Sequence, residues 1–173
     1  RGEALDQARL DEVRKIIRHE LVRTLFQPIV QLPDREILGF EALSRGPEGS
    51  YLESAENLFG FTERAGLLGE IELLCVERAL TNAARLPKGA VLFLNMSMLG
   101  LELVESAGSG LAGKLSDVAR SPTECVLEIT ERGKTTSLGF TGDVGRPNSP
   151  ILRDPQPMAD CDYLITESTY GGE

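Results

Sequence analysis

The chain has 173 residues, of which 41% are hydrophobic and 26% are charged, and its formal net charge is −9 at pH 7. This length suffices for one domain with a sizeable core and excludes two full enzyme domains. The negative charge argues against general attraction to nucleic acid or to an anionic membrane, because the long-range field repels both. No apolar run reaches the ~20 residues of a membrane span, so we expect no membrane insertion.

Three cysteines, Cys75, Cys125 and Cys161, are odd in number and widely separated. Buried reduced thiols explain such a pattern better than disulfides do, and we therefore expect a cytoplasmic protein.

The first part of the sequence predicts a helix followed by a hairpin. Apolar residues recur at helical spacing over residues 5–25, so we expect an amphipathic helix there, acting as a linker, a cap or a signalling helix. Two apolar segments, 25–30 and 37–43, are separated by a turn and predict a hairpin or two short strands.

Helices and strands alternate in the next hundred residues. Ser54 can cap a helix that runs to residue 65, and a helix over 69–84 is apolar on two sides and so mostly buried. Residues 90–96 are an apolar run typical of a buried parallel strand. Residues 99–119 are weakly helical, and residues 124–130 predict another strand. This order predicts an α/β fold with parallel strands. It is a partial and incomplete (β/α) barrel, because a complete one takes ~250 residues.

Polar side chains stand at or near the ends of three predicted strands. Glu41, Asn95 and Glu128 each follow apolar strand residues. Catalytic groups of β/α barrels project from the carboxyl ends of the strands, so these three side chains are candidates for one site. Two carboxylates and an amide oxygen are hard donors, which suit Mg²⁺ or Mn²⁺ better than zinc.

Four sequence blocks occur in order between residues 26 and 132: FQPIV at 26–30, GFEALSR at 39–45, LNMS at 94–97 and LEITE at 127–131. Together they resemble the EAL-type cyclic-di-GMP phosphodiesterases, which are named after the triplet at 41–43. The resemblance implies that Glu41, Asn95 and Glu128 are metal ligands. It also implies that Arg45 contacts a phosphate, that Gln27 binds the ligand, and that Glu131 supports a loop over the metal site.

The same resemblance implies further residues that this sequence lacks. The family reaction, metal-assisted hydrolysis of one phosphodiester bond, also needs two adjacent aspartates, a later lysine and a further glutamate. No two consecutive aspartates occur in the chain. We therefore expect that a two-metal centre cannot assemble from this chain alone, and that Mg²⁺ or Mn²⁺ binds weakly or not at all. We therefore expect a module that derives from these phosphodiesterases and is catalytically incomplete. Its function in bacterial signalling is the family's hydrolysis of cyclic-di-GMP or, where hydrolysis fails, binding of this nucleotide. The alternative is a non-catalytic dimerisation or regulatory scaffold. Open sheet edges of a partial barrel also predict a homodimer or a domain-swapped oligomer.

The last forty residues differ in character from the rest. Residues 140–147 and 162–171 resemble a stretch of β-CASP nucleases of the metallo-β-lactamase fold, in which the aspartate matching Asp143 binds zinc. A zinc nuclease is excluded for this chain alone, because His19 is its single histidine. Residues 137–141 predict a short strand that is antiparallel, packed elsewhere, or paired with another copy, since too few residues precede it for a parallel crossover. We divide the chain into a linker helix (1–25), a partial EAL-like domain (26–132) and a tail (133–173). The domain and the tail resemble fragments of two different enzymes.

Overall fold

The structure, a computed structural model, describes residues 2–32, 34–131, 134–141 and 163–166. Within these residues a six-stranded sheet runs in chain order from β1 to β6. The strands are β1 Arg23–Gln31, β2 Glu36–Arg45, β3 Val91–Met96, β4 Cys125–Glu131, β5 Lys134–Thr141 and β6 Tyr163–Thr166. The helices are α1 Gly2–Arg18, α2 Ala55–Arg64, α3 Leu68–Ala83, α4 Met98–Ser106 and α5 Gly110–Asp117, with a 3₁₀ turn at Pro122–Glu124.

Strands β2, β3 and β4 form a parallel centre, with helices in both connections. Strand β1 is antiparallel to β2, which confirms the predicted hairpin. This arrangement confirms the α/β class and the partial barrel architecture. The central β3 is parallel to both neighbours, and its successive residues Leu92, Phe93 and Leu94 are all buried, as its nearly continuous apolar sequence predicted.

Strand β5 pairs with β4 in the antiparallel direction. Only residues 132 and 133 separate the two strands, whereas a parallel crossover needs a dozen residues or more. Of the three arrangements left open for this strand, the antiparallel one is confirmed. Strand β6 then lies parallel to β5. The rest of the tail, including Asp143 and the 167–171 block, lies outside the described residues, and its resemblance to β-CASP nucleases stays a prediction.

Helix α1 is shorter than predicted. The spacing of apolar residues up to Leu25 indicated a helix over 5–25, but α1 ends at Arg18. The amide of Leu21 closes the helix on the Ile16 carbonyl at 3.0 Å, and Glu20 takes a left-handed conformation with φ 53°. From Arg23 onward the chain pairs with β2 instead, because a nine-residue ladder satisfies its backbone groups.

Two clusters of buried side chains make up the core. The first lies between the sheet and helices α3, α4 and α5, and it includes Ala42, Leu92, Leu94, Cys125 and Leu127. The second joins α1, α2 and α3, and it includes Val13, Ile16, Leu52, Leu58, Phe61 and Ile71. The domain boundaries at 25 and 132 stay predictions.

Local signals account for several elements. Ser54 caps α2 by accepting a hydrogen bond from the Asn57 amide, as predicted.

Cys75 and Cys125 are buried free thiols, and burial raises the pKa of each to about 12. Cys161 lies outside the described residues. None of the described helices is long and apolar enough to cross a bilayer.

Candidate functional site

The predicted ligands lie on the face of the sheet opposite the helix-covered core. Ala42, Leu94 and Leu127 pack into the helix-covered core, each with 7% exposure or less. Successive side chains of a strand point to opposite faces, so their neighbours Glu41, Asn95 and Glu128 point to the other face. In a β/α barrel that face is the interior, where ligands bind at the carboxyl ends of the strands.

The strand register brings these side chains together. Asn95 on β3 and Glu128 on β4 are direct partners in the parallel ladder. The Asn95 side chain donates a hydrogen bond from Nδ2 to Glu41 Oε1 on β2 at 2.7 Å. Gln27 on β1 is in turn the ladder partner of Glu41. Four predicted site residues thus lie on four adjacent strands.

The charge of the Glu41 carboxylate acts on the Glu128 carboxyl. Burial raises the pKa of the Glu128 carboxyl, and the negative charge of Glu41 raises it further. A divalent cation between them would offset this repulsion. Because the Asn95 side chain uses its nitrogen for the hydrogen bond to Glu41, its amide oxygen remains available to coordinate a metal ion. Two carboxylates and one amide oxygen therefore fit a hard divalent cation in donor chemistry.

A centre of another composition is not formed by the described residues. Within the ranges given above, no three or more His, Cys, Asp or Glu side chains converge as a metal site. The candidate site has three ligating residues, Glu41, Asn95 and Glu128, whereas Mg²⁺ takes six ligands. Bound waters or phosphate oxygens of a ligand would complete the coordination shell.

Arg45 stands at the end of β2, four residues beyond Glu41 and on the same strand face. Its Nη1 donates to the Ser44 carbonyl at 2.8 Å. It lines a cavity of about 490 Å³ at the start of the β2–α2 loop. The other lining residues are Arg23, Leu25, Ser50, Tyr51, Glu53, Ser54 and Asn57. The phosphate contact of Arg45 stays a prediction.

A second arginine braces the loop that lines the cavity. Arg23 donates to Glu53 Oε1 at 2.8 Å and to the Gly46 carbonyl at 3.1 Å. The Gly49 amide, followed by Arg23, holds the pKa of Glu53 below its usual value. Sequence reasoning missed this bracing role of Arg23, because its partners lie more than twenty residues away.

Two further acidic residues, one predicted and one not, complete the description of the site region. Glu131 is the last residue of β4 and the ladder partner of Lys134, but its side chain lies outside the described part. Glu72 on α3 was not predicted, and it accepts hydrogen bonds from the Ser97 backbone and hydroxyl. The available signal was a single acid between apolar neighbours on a helix that is apolar on two sides.

The family model of the EAL domain matches residues 10–141, so the chain belongs to the EAL domain family. The match passes Arg132, where the resemblance visible in the sequence stopped, and it includes β5. No curated protein matches the chain.

Solved structures of EAL proteins share this fold. The Xanthomonas citri FimX EAL domain in complex with c-diGMP is 15% identical, with a TM-score of 0.62 over 75% of this chain and 51% of that one. The PaMucR phosphodiesterase in its c-di-GMP complex is 24% identical, with a TM-score of 0.52 over 64% of this chain and 47% of that one. Klebsiella pneumoniae BlrP1 with manganese and cy-diGMP is 26% identical, with a TM-score of 0.54 over 64% and 28%. The chain thus spans about half the length of the FimX domain and less than half the length of the other two proteins.

Proposed function

We propose that this chain is a cyclic-di-GMP-binding module derived from an EAL phosphodiesterase, with one divalent cation held by Glu41, Asn95 and Glu128. The observation that carries the proposal is the hydrogen bond of 2.7 Å between Asn95 and Glu41, next to the ladder partner Glu128. Membership of the EAL family and the c-di-GMP and manganese named for similar structures support it.

The identity of the cation follows from the donors. Oxygen ligands favour Mg²⁺ or Mn²⁺. When bound, such an ion supplies Lewis-acid polarisation of a phosphoryl oxygen. The protein's part is to orient the donors: Asn95 is held by Glu41, and Glu128 approaches from the adjacent strand.

The ligand must be bound by local positive charge. A chain with a net charge of −9 repels a dinucleotide that carries two phosphates. The cation and the Arg45 guanidinium provide the opposite sign where the phosphates would lie, and Gln27 contributes an amide on β1. The open cavity beside Arg45 is lined by Arg23 as well, but by none of the three proposed metal ligands, so only the Arg45 side of the ligand would lie there.

Hydrolysis is a second step that binding alone does not provide. The sequence contains no pair of consecutive aspartates, which the family reaction needs for its second metal ion. We therefore propose ligand binding without turnover by this chain alone. We also propose a cytoplasmic location, because Cys75 and Cys125 are reduced thiols.

Calorimetric titration with cyclic-di-GMP tests the proposal, with EDTA, with Mg²⁺ and with Mn²⁺. We expect binding in the micromolar range that the metal strengthens. Arg45→Ala should weaken binding in every buffer, whereas Glu41→Ala should remove only the strengthening by metal. Arg14→Ala is the matched control for Arg45→Ala, because it also removes one positive charge, but from an exposed position on α1. Absence of heat in all buffers would refute ligand binding.

That negative result would favour the second candidate, a dimerisation or regulatory scaffold. The β1–β2 hairpin exposes large apolar side chains, among them Leu25 (50%), Val30 (47%) and Ile37 (56%). Strand β1 is also an edge of the sheet, and unpaired edges invite pairing with a second copy. Sedimentation velocity distinguishes the homodimer or domain-swapped oligomer from the monomer.

A further inference from the structure

Helix α3 carries one acidic side chain inside the core. Glu72 is only 8% exposed, and its neighbour Ile71 is fully buried. Burying a carboxylate is costly unless hydrogen bonds replace its water. Burial raises the pKa of Glu72, while hydrogen bonds from Ser97 and Gly100 act in the opposite direction. A side chain placed at such a cost is expected to have a specific task.

The bonds of Glu72 all reach the junction of β3 and α4. Its Oε1 accepts from the Ser97 backbone amide at 3.0 Å, and its Oε2 accepts from the Ser97 hydroxyl at 2.5 Å. Ser97 itself caps α4 by accepting from the Gly100 amide. The junction is closely packed: a methyl group on Gly100 would come within 2.2 Å of Glu72 Oε2.

This junction lies next to the candidate metal site. Ser97 is the single residue between β3 and α4, and Asn95 stands two positions before it. Asn95 is exposed, and its side chain makes one hydrogen bond, to Glu41. Its backbone is held on one side by the ladder partner Glu128 on β4, and Ser97 fixes the strand two positions further on.

We propose that Glu72 is a positioning residue for the metal site, holding Asn95 in place by clamping Ser97. This inference rests on the proposed function of Asn95 as a ligand. Outer partners of metal ligands commonly change metal affinity about 10- to 100-fold when they are replaced. The competing explanation is that Glu72 only caps α4 and stabilises the fold.

Arg120 provides the matched control for stability, because it ties down the opposite end of the same strand. It is also 8% exposed, and its guanidinium donates to the Ala83 and Ala90 carbonyls at 2.9 Å each. Residues at the amino ends of barrel strands serve stability and lie away from the ligand. Arg120→Met should therefore destabilise the protein without reaching Asn95.

The experiment compares Glu72→Gln, Ser97→Ala and Arg120→Met in the full chain with two measurements. The first is Mn²⁺ affinity, from the paramagnetic resonance signal of the free ion. The second is the Asn95 side-chain amide signal in a nitrogen–proton NMR spectrum without metal. We expect Glu72→Gln to weaken Mn²⁺ binding about 10-fold and to shift the Asn95 signal. Arg120→Met should lower the melting temperature and change neither.

The outcomes separate the two proposals. If Glu72→Gln leaves both the Mn²⁺ affinity and the Asn95 signal unchanged, Glu72 is only a helix cap and the inference is wrong. If the wild-type chain binds no Mn²⁺, the proposed metal site is wrong, and the Asn95 signal alone decides whether Glu72 positions this side chain. Should Glu72→Gln not fold, Ser97→Ala removes one bond of the clamp, and an unchanged Asn95 signal there refutes the inference.

Discussion

Replacing Glu41 in two ways separates its roles as a metal ligand and as a partner of Asn95. Gln at this position keeps an oxygen that can accept the 2.7 Å hydrogen bond from Asn95, but it removes the charge. Ala removes both. We expect Glu41→Gln to keep the arrangement of the metal-free site and to lose the metal, whereas Glu41→Ala disturbs both.

The magnitudes follow from the contacts. At a typical ligand distance of about 2.2 Å, a carboxylate and a dication attract by about 4 kcal/mol even with the dielectric constant of water. The amide oxygen of Gln recovers part of this, so a loss of about 3 kcal/mol, or about 100-fold in affinity, is expected. The exposed hydrogen bond contributes about 1 kcal/mol. Its loss in Glu41→Ala should lower the melting temperature by about 2–4 °C, with little change for Glu41→Gln.

Mn²⁺ titration and thermal unfolding of the wild type and both variants provide the test. The pKa of Glu128 should also fall in Glu41→Gln, because the charge of Glu41 is one cause of its elevation. Wild-type Mn²⁺ affinity in Glu41→Gln would refute the assignment of Glu41 as a ligand. Equal melting temperatures for Glu41→Ala and Glu41→Gln would refute the contribution of the hydrogen bond.

Three further predictions concern stability and reactivity. Leu127→Ala should cost about 2–5 kcal/mol in urea unfolding, because Leu127 is fully buried, while Leu99→Ala, at a half-exposed position, should cost less than about 0.5 kcal/mol; equal costs would contradict the described core. The raised pKa of Glu128 means that the folded state binds its proton more tightly than the unfolded state does, so stability is lost as pH rises from 4.5 through the folded pKa. The free energy of unfolding of Glu128→Gln should therefore rise relative to that of the wild type as pH rises through that window. A difference in unfolding free energy that does not change with pH would contradict the raised pKa. Cys75 and Cys125, with pKa values of about 12, should react with a thiol reagent at pH 8 only on unfolding; fast labelling of the native protein would contradict their burial.

Much of the fold followed from local sequence patterns. The apolar run at 90–96 predicted a buried parallel strand, residues 124–130 predicted a second strand, and the short spacing after β4 allowed an antiparallel neighbour. The length of α1 was wrong because Leu21 and Leu25 continue the helical spacing, while the left-handed turn at Glu20 has no glycine to announce it. Pairing between distant segments outweighed the local pattern there.

The candidate site was predictable because one polar residue interrupts each of three apolar strand patterns, although Glu41 and Glu128 lie inside β2 and β4 and not at their ends. Glu41, Asn95 and Glu128 were visible in this way. Asn95 and Glu128 are ladder partners, whereas Glu41 pairs with Phe93 and is reached by the Asn95 side chain through a hydrogen bond. Their function as ligands stays a prediction. Glu72 and Arg120 were not found, because each acts on backbone atoms that are at least 25 residues away in the chain. Such contacts depend on the packing of α3 against the sheet, which spacing alone does not reveal.

Paramagnetic broadening by Mn²⁺ tests the central claim most directly. Substoichiometric Mn²⁺ is added to the isotope-labelled chain, and the loss of each backbone amide signal is followed by NMR. We predict that the signals of Glu41, Asn95 and Glu128 disappear first and together, and that Glu41→Gln abolishes this pattern. Broadening that begins elsewhere, for example around Glu48 and Glu53, or that spreads evenly over the acidic surface, would contradict a metal site formed by these three side chains.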